Sequence, residues 1–172
     1  SVTRSNALTF EAASRSAVPV AAVTALQALR DKGDVQAGQK VLINGASGGV
    51  GTFAVQLAKL LGAEVTAVCS TGNVEQARAL GADRVVDYTK EDFTKLGVQH
   101  DVVLDIAGSR SFLEVRKVLT PDAKYVLVGG RMTYRGLGPL PHLGGTILKS
   151  RFRSQTVTFF VAKVTTEDLT YL

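Results

Sequence analysis

Residues Asn44 to Gly51 read NGASGGVG, between the apolar run Lys40 to Ile43 (KVLI) and an amphipathic stretch. A backbone this bare has a chemical use at that place. A phosphate lying against the N-terminus of a helix needs unpaired backbone N–H groups and no Cβ atoms in its way. Gly48 would let the backbone approach a pyrophosphate, and Gly51 would let the helix pack closely on the strand. Ala46 stands where such loops usually carry their first glycine, with Gly45 beside it as a residue that could absorb the tight turn. The competing reading is a purely structural glycine turn. A strand before the loop and a helix after it favour dinucleotide binding.

An acidic residue about 20 positions past such glycines takes the ribose hydroxyls of NAD. Here that place reads Cys69-Ser70-Thr71-Gly72-Asn73. No carboxylate stands there to repel a 2′-phosphate, and the hydroxyls of Ser70 and Thr71 can donate to one, which favours NADP(H). The alternative is that Ser70 and Thr71 only start a turn and cap the next helix, as Asn73 also could. Other reactive residues read as structural. Cys69 sits on an apolar strand as a small core residue, and Asp105, imaginable as a general acid, reads as a turn or helix-cap residue. His100 and His142 are isolated in sequence.

The elements that position this loop alternate in type. Lys40 to Ile43, Glu64 to Cys69, Arg84 to Asp87, Asp101 to Ile106, Lys124 to Val128 and Gln155 to Val161 read as strands. The stretch Val50 to Leu61 carries Val50, Ala54, Leu57, Ala58 and Leu61 at helical spacing, and Val74 to Leu80 and Phe112 to Leu119 read as further helices. LGAEV at Leu61 and LGADRV at Leu80 repeat one helix-stop and strand-start signal. Strand and helix in alternation imply parallel crossovers, hence an α/β, Rossmann-type doubly wound parallel sheet of about six strands with helices on both faces.

Composition sets the bounds. The 172 residues, 45% of them hydrophobic, suffice for one domain with a real core. No apolar run reaches the ~20 residues of a membrane helix and no signal peptide is evident, so a soluble cytoplasmic chain is expected. The single cysteine excludes an internal disulfide and a cysteine-based zinc site. Net charge is +5, and from Asp122 to Glu167 no acidic residue interrupts Lys124, Arg131, Arg135, Lys149, Arg151, Arg153 and Lys163. That half favours an anionic partner, read as a phosphate-bearing ligand rather than nucleic acid or a membrane, since no aromatic stripe accompanies the charges.

The run PVAAVTALQAL (Pro19 to Leu29), followed by GQKVLINGASGGVG, LGADRVVDY, VVLDIAG and YVLVGG, resembles the cofactor domain of the medium-chain dehydrogenase/reductase superfamily, in its zinc-free quinone oxidoreductase branch. The resemblance implies that Ala46, Ser47, Gly48, Gly49, Val50 and Gly51 hold the pyrophosphate and that Thr24 lies near the nicotinamide. It implies further that Ala107, Gly108, Val128, Gly129 and Gly130 flank the nicotinamide and its ribose, that Phe160 and Val161 reach the nicotinamide, and that Ser70 and Tyr88 touch the 2′-phosphate. One departure is that Gly72 and Asn73 occupy the place where the family often has a lysine or arginine; Arg78, the nearest cation, reads as solvent-facing. Ala21 and Ala22 stand where zinc-dependent relatives carry a cysteine ligand, so no catalytic metal is implied. No tyrosine is followed four residues on by a lysine, which sets aside the short-chain dehydrogenases.

By the same resemblance, residues 1–18 are a lead-in from a catalytic domain, and 19–172 form an NADP(H)-binding Rossmann domain truncated at its C-terminus, the last helix starting at Thr166 to Asp168. The implied chemistry is hydride transfer from NADPH to a small-molecule acceptor, a quinone or an enone. Arg131 to Arg153 is a Gly- and Pro-rich connection beside the cleft, with a helical turn at Ile147 to Phe152. Gln155 to Val161 is an apolar edge strand that the family pairs in a homodimer; a covering C-terminal helix is the alternative. Two other functions stay open: a non-catalytic NADPH-sensing or RNA-binding module, and an enoyl reductase domain of a multi-domain synthase.

Overall fold

The computed structural model describes residues 19–128 and 155–172. Helix α1 occupies 19–27 and widens at its end into a π-turn, Ala28–Lys32, closed by Gly33 N donating to Ala28 O at 2.8 Å. There follow β1 (Lys40–Asn44), α2 (Gly49–Leu60), β2 (Glu64–Cys69), α3 (Val74–Ala79), β3 (Arg84–Asp87), β4 (His100–Asp105), α4 (Phe112–Val115), β5 (Leu119–Val128), β6 (Thr156–Phe160) and α5 (Thr166–Tyr171). The strands form one sheet in the order β3-β2-β1-β4-β5-β6, every neighbouring pair parallel. This is the expected doubly wound sheet.

A sheet covered on both faces needs apolar residues at successive positions, and the strands supply them. Val41, Ile43, Val65, Ala67, Val102, Leu104 and Val126 pack on one face against Ala54, Val55 and Ala58 of α2 and Ala77 of α3. Leu42, Val68, Val103 and Tyr125 point the other way, onto Phe93 and onto Val115 of α4. The repeated LGA signal does what its glycines predict. Gly62 (φ +81°) and Gly81 (φ +102°) end α2 and α3 in left-handed conformations, with Ala63 N donating to Ala58 O and Ala82 N to Ala77 O.

Beyond one-residue offsets at the ends of β1, α2, α3, β4 and β6, two boundaries differ from the sequence reading. The helix expected over Phe112 to Leu119 ends at Val115, passes through a 3-10 turn at Arg116–Val118, and gives way to β5. Pro121 explains this, because a proline disfavours helical geometry in the residue before it and cannot join an α-helical ladder. Strand β5 accordingly starts at Leu119, paired with His100, with a register shift before Val102. The turn expected at Ile147 to Phe152 and the connection Arg131 to Arg153 lie outside the described residues.

His100 opens β4 at 1% exposure, its ring nitrogens 3.3 Å from Val118 O and from Thr66 Oγ1. Burial lowers its pKa below 6.5, so the unfolded chain takes up a proton that the folded chain refuses. Stability is therefore expected to fall as pH drops below that value. Urea midpoints compared at about pH 7.5 and about pH 5.5 should show the loss in the wild type and a smaller loss in His100→Gln.

Candidate dinucleotide site

The chain passes from β1 to β2 and β3 on one side, then returns to place β4 on the other side of β1. The carboxyl ends of β1 and β4 thus form the crevice where ligands bind in such sheets. The loop Asn44 to Gly51 fills that place. Gly45 takes the tight turn at φ +95°, with its N–H and that of Ala46 donating to Val68 O at 3.1 and 3.0 Å. A Cβ on Gly51 would lie 2.1 Å from Gly45 O and 2.7 Å from the Ala46 backbone, so α2 seats on the loop only because residue 51 is glycine. Gly48 is the N-cap of α2 with no side-chain cap, and the first intrahelical bond runs from Thr52 N to Gly48 O at 3.0 Å. The N–H groups of Gly49, Val50 and Gly51 precede it and so have no carbonyl inside the helix. A Cβ at Gly49 would meet nothing within 4 Å, and one at Gly48 only Gly45 O at 3.5 Å. The result is an open helix start with three free N–H donors at the positive end of a helix dipole.

Beneath the loop lies a polar junction that sequence reasoning missed. Asp105 is 1% exposed; its Oδ1 accepts from Asn44 Nδ2 and from Gly108 N, both at 2.8 Å, and its Oδ2 accepts from Tyr125 Oη at 2.7 Å. Asn44 Nδ2 also donates to Ser109 Oγ at 3.2 Å, while Asn44 O accepts from Ile106 N and Ala107 N. Burial first, then the Asp105 carboxylate, pushes the Tyr125 phenol far above its usual range, so it remains a donor. These contacts fix the turn Ala107-Gly108, with Gly108 at φ +58°, beside the glycine loop. Asp105 is a turn anchor, as its sequence reading favoured. The available signal was a polar residue ending an otherwise apolar strand, seen in KVLIN and HDVVLD alike.

At the exit of β2, Ser70 Oγ accepts from Asn73 Nδ2 at 2.9 Å, which leaves its own hydrogen to donate. Thr71 instead donates its hydrogen to Asp87 Oδ2 at 2.6 Å. Tyr88, 56% exposed, leaves β3 alongside, its N–H on Cys69 O at 3.0 Å. Arg78 pairs with Glu75 of its own helix at 2.7 Å. Cys69 is buried, and burial raises its thiol pKa, in keeping with a core residue.

The remaining expected residues divide. Thr24, 8% exposed, donates to Val20 O at 2.6 Å, so its oxygen stays available only as an acceptor. Ala46 and Val128 are buried and can present only backbone to a ligand. Ser47 and Val50 flank the cradle half-buried. Phe160 ends β6 opposite Val128, and Val161 follows at 76% exposure. Gly129 and Gly130 lie outside the described residues. The exit of β6 is tied to α1 by Gln27, which donates to Lys163 O at 2.7 Å and accepts from Lys163 N at 3.2 Å. Gln27 and Arg30 each donate to the buried Asp168 at 2.7 Å, and together with Thr165 they hold that carboxyl below its usual range.

Residues 49–162 match the sequence model of the zinc-binding dehydrogenase family. The chain belongs to that family. It lies in the quinone oxidoreductase-like branch of the medium-chain dehydrogenase/reductase superfamily, as its relatives show. It is 37% identical over 139 residues to a 2-methylene-furan-3-one reductase of Solanum lycopersicum, covering 80% of this chain and 35% of that protein. It is 37% identical over 134 residues to the chloroplastic NADPH-dependent alkenal/one oxidoreductase of Arabidopsis thaliana, 77% of this chain and 34% of that one. The solved quinone oxidoreductase of Coxiella burnetii superposes with a TM-score of 0.71 at 30% identity, over 88% of this chain and 44% of the other. The chain thus spans about a third of the length of these curated relatives. Among the described residues of this family member, no group of three or more His, Cys, Asp or Glu could hold a metal ion, and no helix is long and apolar enough to cross a membrane.

Two substitutions separate the loop from its foundation. Gly51→Ala should destabilise the fold by at least about 2 kcal/mol, since the new Cβ meets backbone rather than a movable side chain. Tyr125→Phe leaves Asp105 Oδ2 short of a donor and should cost about 1–3 kcal/mol. Both are read as shifts of the urea midpoint at unchanged slope.

Proposed function

We propose that residues 19–172 bind NADP(H) and orient it for hydride transfer to a quinone or an activated alkene. The observation that carries this reading is the open start of α2, where the unpaired N–H groups of Gly49, Val50 and Gly51 stand at the switch point and a Cβ built at Gly49 would meet nothing within 4 Å. The residues present fit a dinucleotide. Gly49, Val50 and Gly51 would receive the pyrophosphate through backbone N–H groups, Gly48, whose own N–H donates to Gly45 O at 3.2 Å, would keep the approach clear of side chains, and Ser70 and Tyr88 would take the adenosine end. The Ala107-Gly108 turn, the carboxyl ends of β5 and β6 and Thr24 would border the nicotinamide. Bound there, the nicotinamide supplies the hydride, the difficult part of the chemistry.

This chain's own contribution is binding and orientation. The Asn44–Asp105–Tyr125 junction keeps the β4 turn from moving under the ligand. Gln27 holds the chain leaving β6 to the same helix that carries Thr24. The activities for which the relatives are named, a furanone reductase, an NADPH-dependent alkenal/one oxidoreductase and a quinone oxidoreductase, support an electron-poor acceptor and the phosphorylated cofactor. No residue is assigned to acceptor recognition, to proton donation or to a metal. We further assign pairing with a second copy to β6, which lies at the sheet edge with Val157 and Phe159 45% and 56% exposed.

Parallel calorimetric titrations with NADPH and NADH test the reading. NADPH should bind the tighter of the two. Gly49→Ala should remain folded, because its Cβ has space, yet bind NADPH at least about threefold more weakly by crowding the cradle. Absence of binding of either cofactor to the folded chain would overturn the proposal.

A further inference from the structure

The sequence leaves the 2′-phosphate without a cation directly after Ser70, where Gly72 and Asn73 stand. The structure brings one in from the turn that follows the neighbouring strand, β3. Cys69 and Asp87 pair in register, so the chain leaves β2 at Ser70 and β3 at Tyr88 side by side. Asp87, 8% exposed, ties these two exits together. Its Oδ2 accepts from Thr71 Oγ1 at 2.6 Å, and its Oδ1 accepts from Thr89 Oγ1 at 2.7 Å and from Thr89 N at 3.0 Å. Lys90 Nζ lies 3.3 Å from that same Oδ2. The ammonium is therefore no farther from Thr71 Oγ1 than these two contacts laid end to end. With 69% of its side chain exposed, it can swing toward a ligand lying over Ser70 and Tyr88.

These contacts reassign the pocket's groups. Thr71 has donated its only hydroxyl hydrogen to Asp87 and has none for a phosphate, whereas Ser70 still has its own. Asp87 is a firm anion: the Thr71 hydroxyl first, then Thr89 and Lys90, hold its pKa down to about 2. A carboxylate beside the adenosine ribose repels a 2′-phosphate and suits the free hydroxyls of NAD(H). Cofactor choice then turns on what balances that charge.

We propose that Lys90 is the specificity-determining residue of this pocket, offsetting the Asp87 carboxylate and, with the Ser70 hydroxyl, binding the 2′-phosphate of NADP(H). The inference rests on the NADP(H) reading above and supplies the cation that the β2 exit lacks. Arg78, the other cation near in sequence, is engaged by Glu75 on the surface of α3. Without Lys90 the same pocket presents an uncompensated anion, so one exposed side chain separates a phosphate-accepting pocket from a phosphate-rejecting one.

The test is fluorescence titration of the full chain with NADPH and with NADH at low and high salt, for the wild type and for Lys90→Ala, Lys90→Glu and Lys90→Arg. Circular dichroism confirms that each variant is folded. Lys90→Ala should lower the ratio of NADPH to NADH affinity by about fivefold to tenfold, Lys90→Glu by more, and Lys90→Arg should restore it. The wild-type ratio should shrink with added salt, and that of Lys90→Ala should respond less. A wild type that prefers NADPH with a ratio unmoved by Lys90→Ala and Lys90→Glu would overturn this inference and leave the NADP(H) reading standing. A wild type that prefers NADH would overturn both.

Discussion

The start of α2 can reach the end of β1 only because Gly51 has no side chain: a Cβ there would sit 2.1 Å from the carbonyl oxygen of Gly45. Everything at the switch point depends on that approach. It sets the helix axis over the loop, aims the first N–H groups into the crevice, and leaves Gly48 as an N-cap that no side chain covers. A helix held even slightly farther away would present its dipole to solvent instead of to a ligand. The left-handed turn at Gly45 is the other half of the arrangement, since it directs the loop back across β2, where Val68 O receives two of its N–H groups.

Below the loop, the strands end in polar residues that are satisfied by one another rather than by water. Asn44 and Asp105 are register partners on β1 and β4, and Tyr125 reaches Asp105 from β5. A buried carboxylate is costly unless its lone pairs are filled, and here three donors fill them. Among the described residues no buried side-chain nitrogen or oxygen lacks a partner. Asp87 plays the corresponding part between β2 and β3, where Thr71 and Thr89 close on it from either side. The site therefore stands on polar contacts across the strand ends, Asn44 with Asp105 and Thr71 with Asp87 joining chain exits that are 61 and 16 residues apart.

The fold was legible because its signals are local and repeated. Apolar strands, helices with one apolar face and the two LGA stops recur in order, and each forces the same crossover. Where a signal was mixed, the reading slipped. Phe112 to Leu119 has helical spacing, but the proline at 121 turns its second half into a 3-10 turn and the first residue of a strand. The glycine loop was legible for the same local reason, since the absence of side chains is what lets α2 seat on the end of β1. Thr71 shows the limit. Its hydroxyl looks available in sequence, and only the arrival of Asp87 from 16 residues on shows where its hydrogen goes.

Sequence by itself determined the parallel sheet, the bare glycine turn at the first strand–helix junction, and membership in the dehydrogenase family, since all three are written in short contiguous patterns. Tertiary structure alone decided which hydroxyls and charges at the strand ends remain open to a ligand. Those assignments depend on hydrogen bonds between residues brought together by register, such as Asn44 with Asp105, Thr71 with Asp87, and Gln27 with Lys163. A donor's availability is set by whoever reaches it first in space, and the linear order of residues does not record that distance.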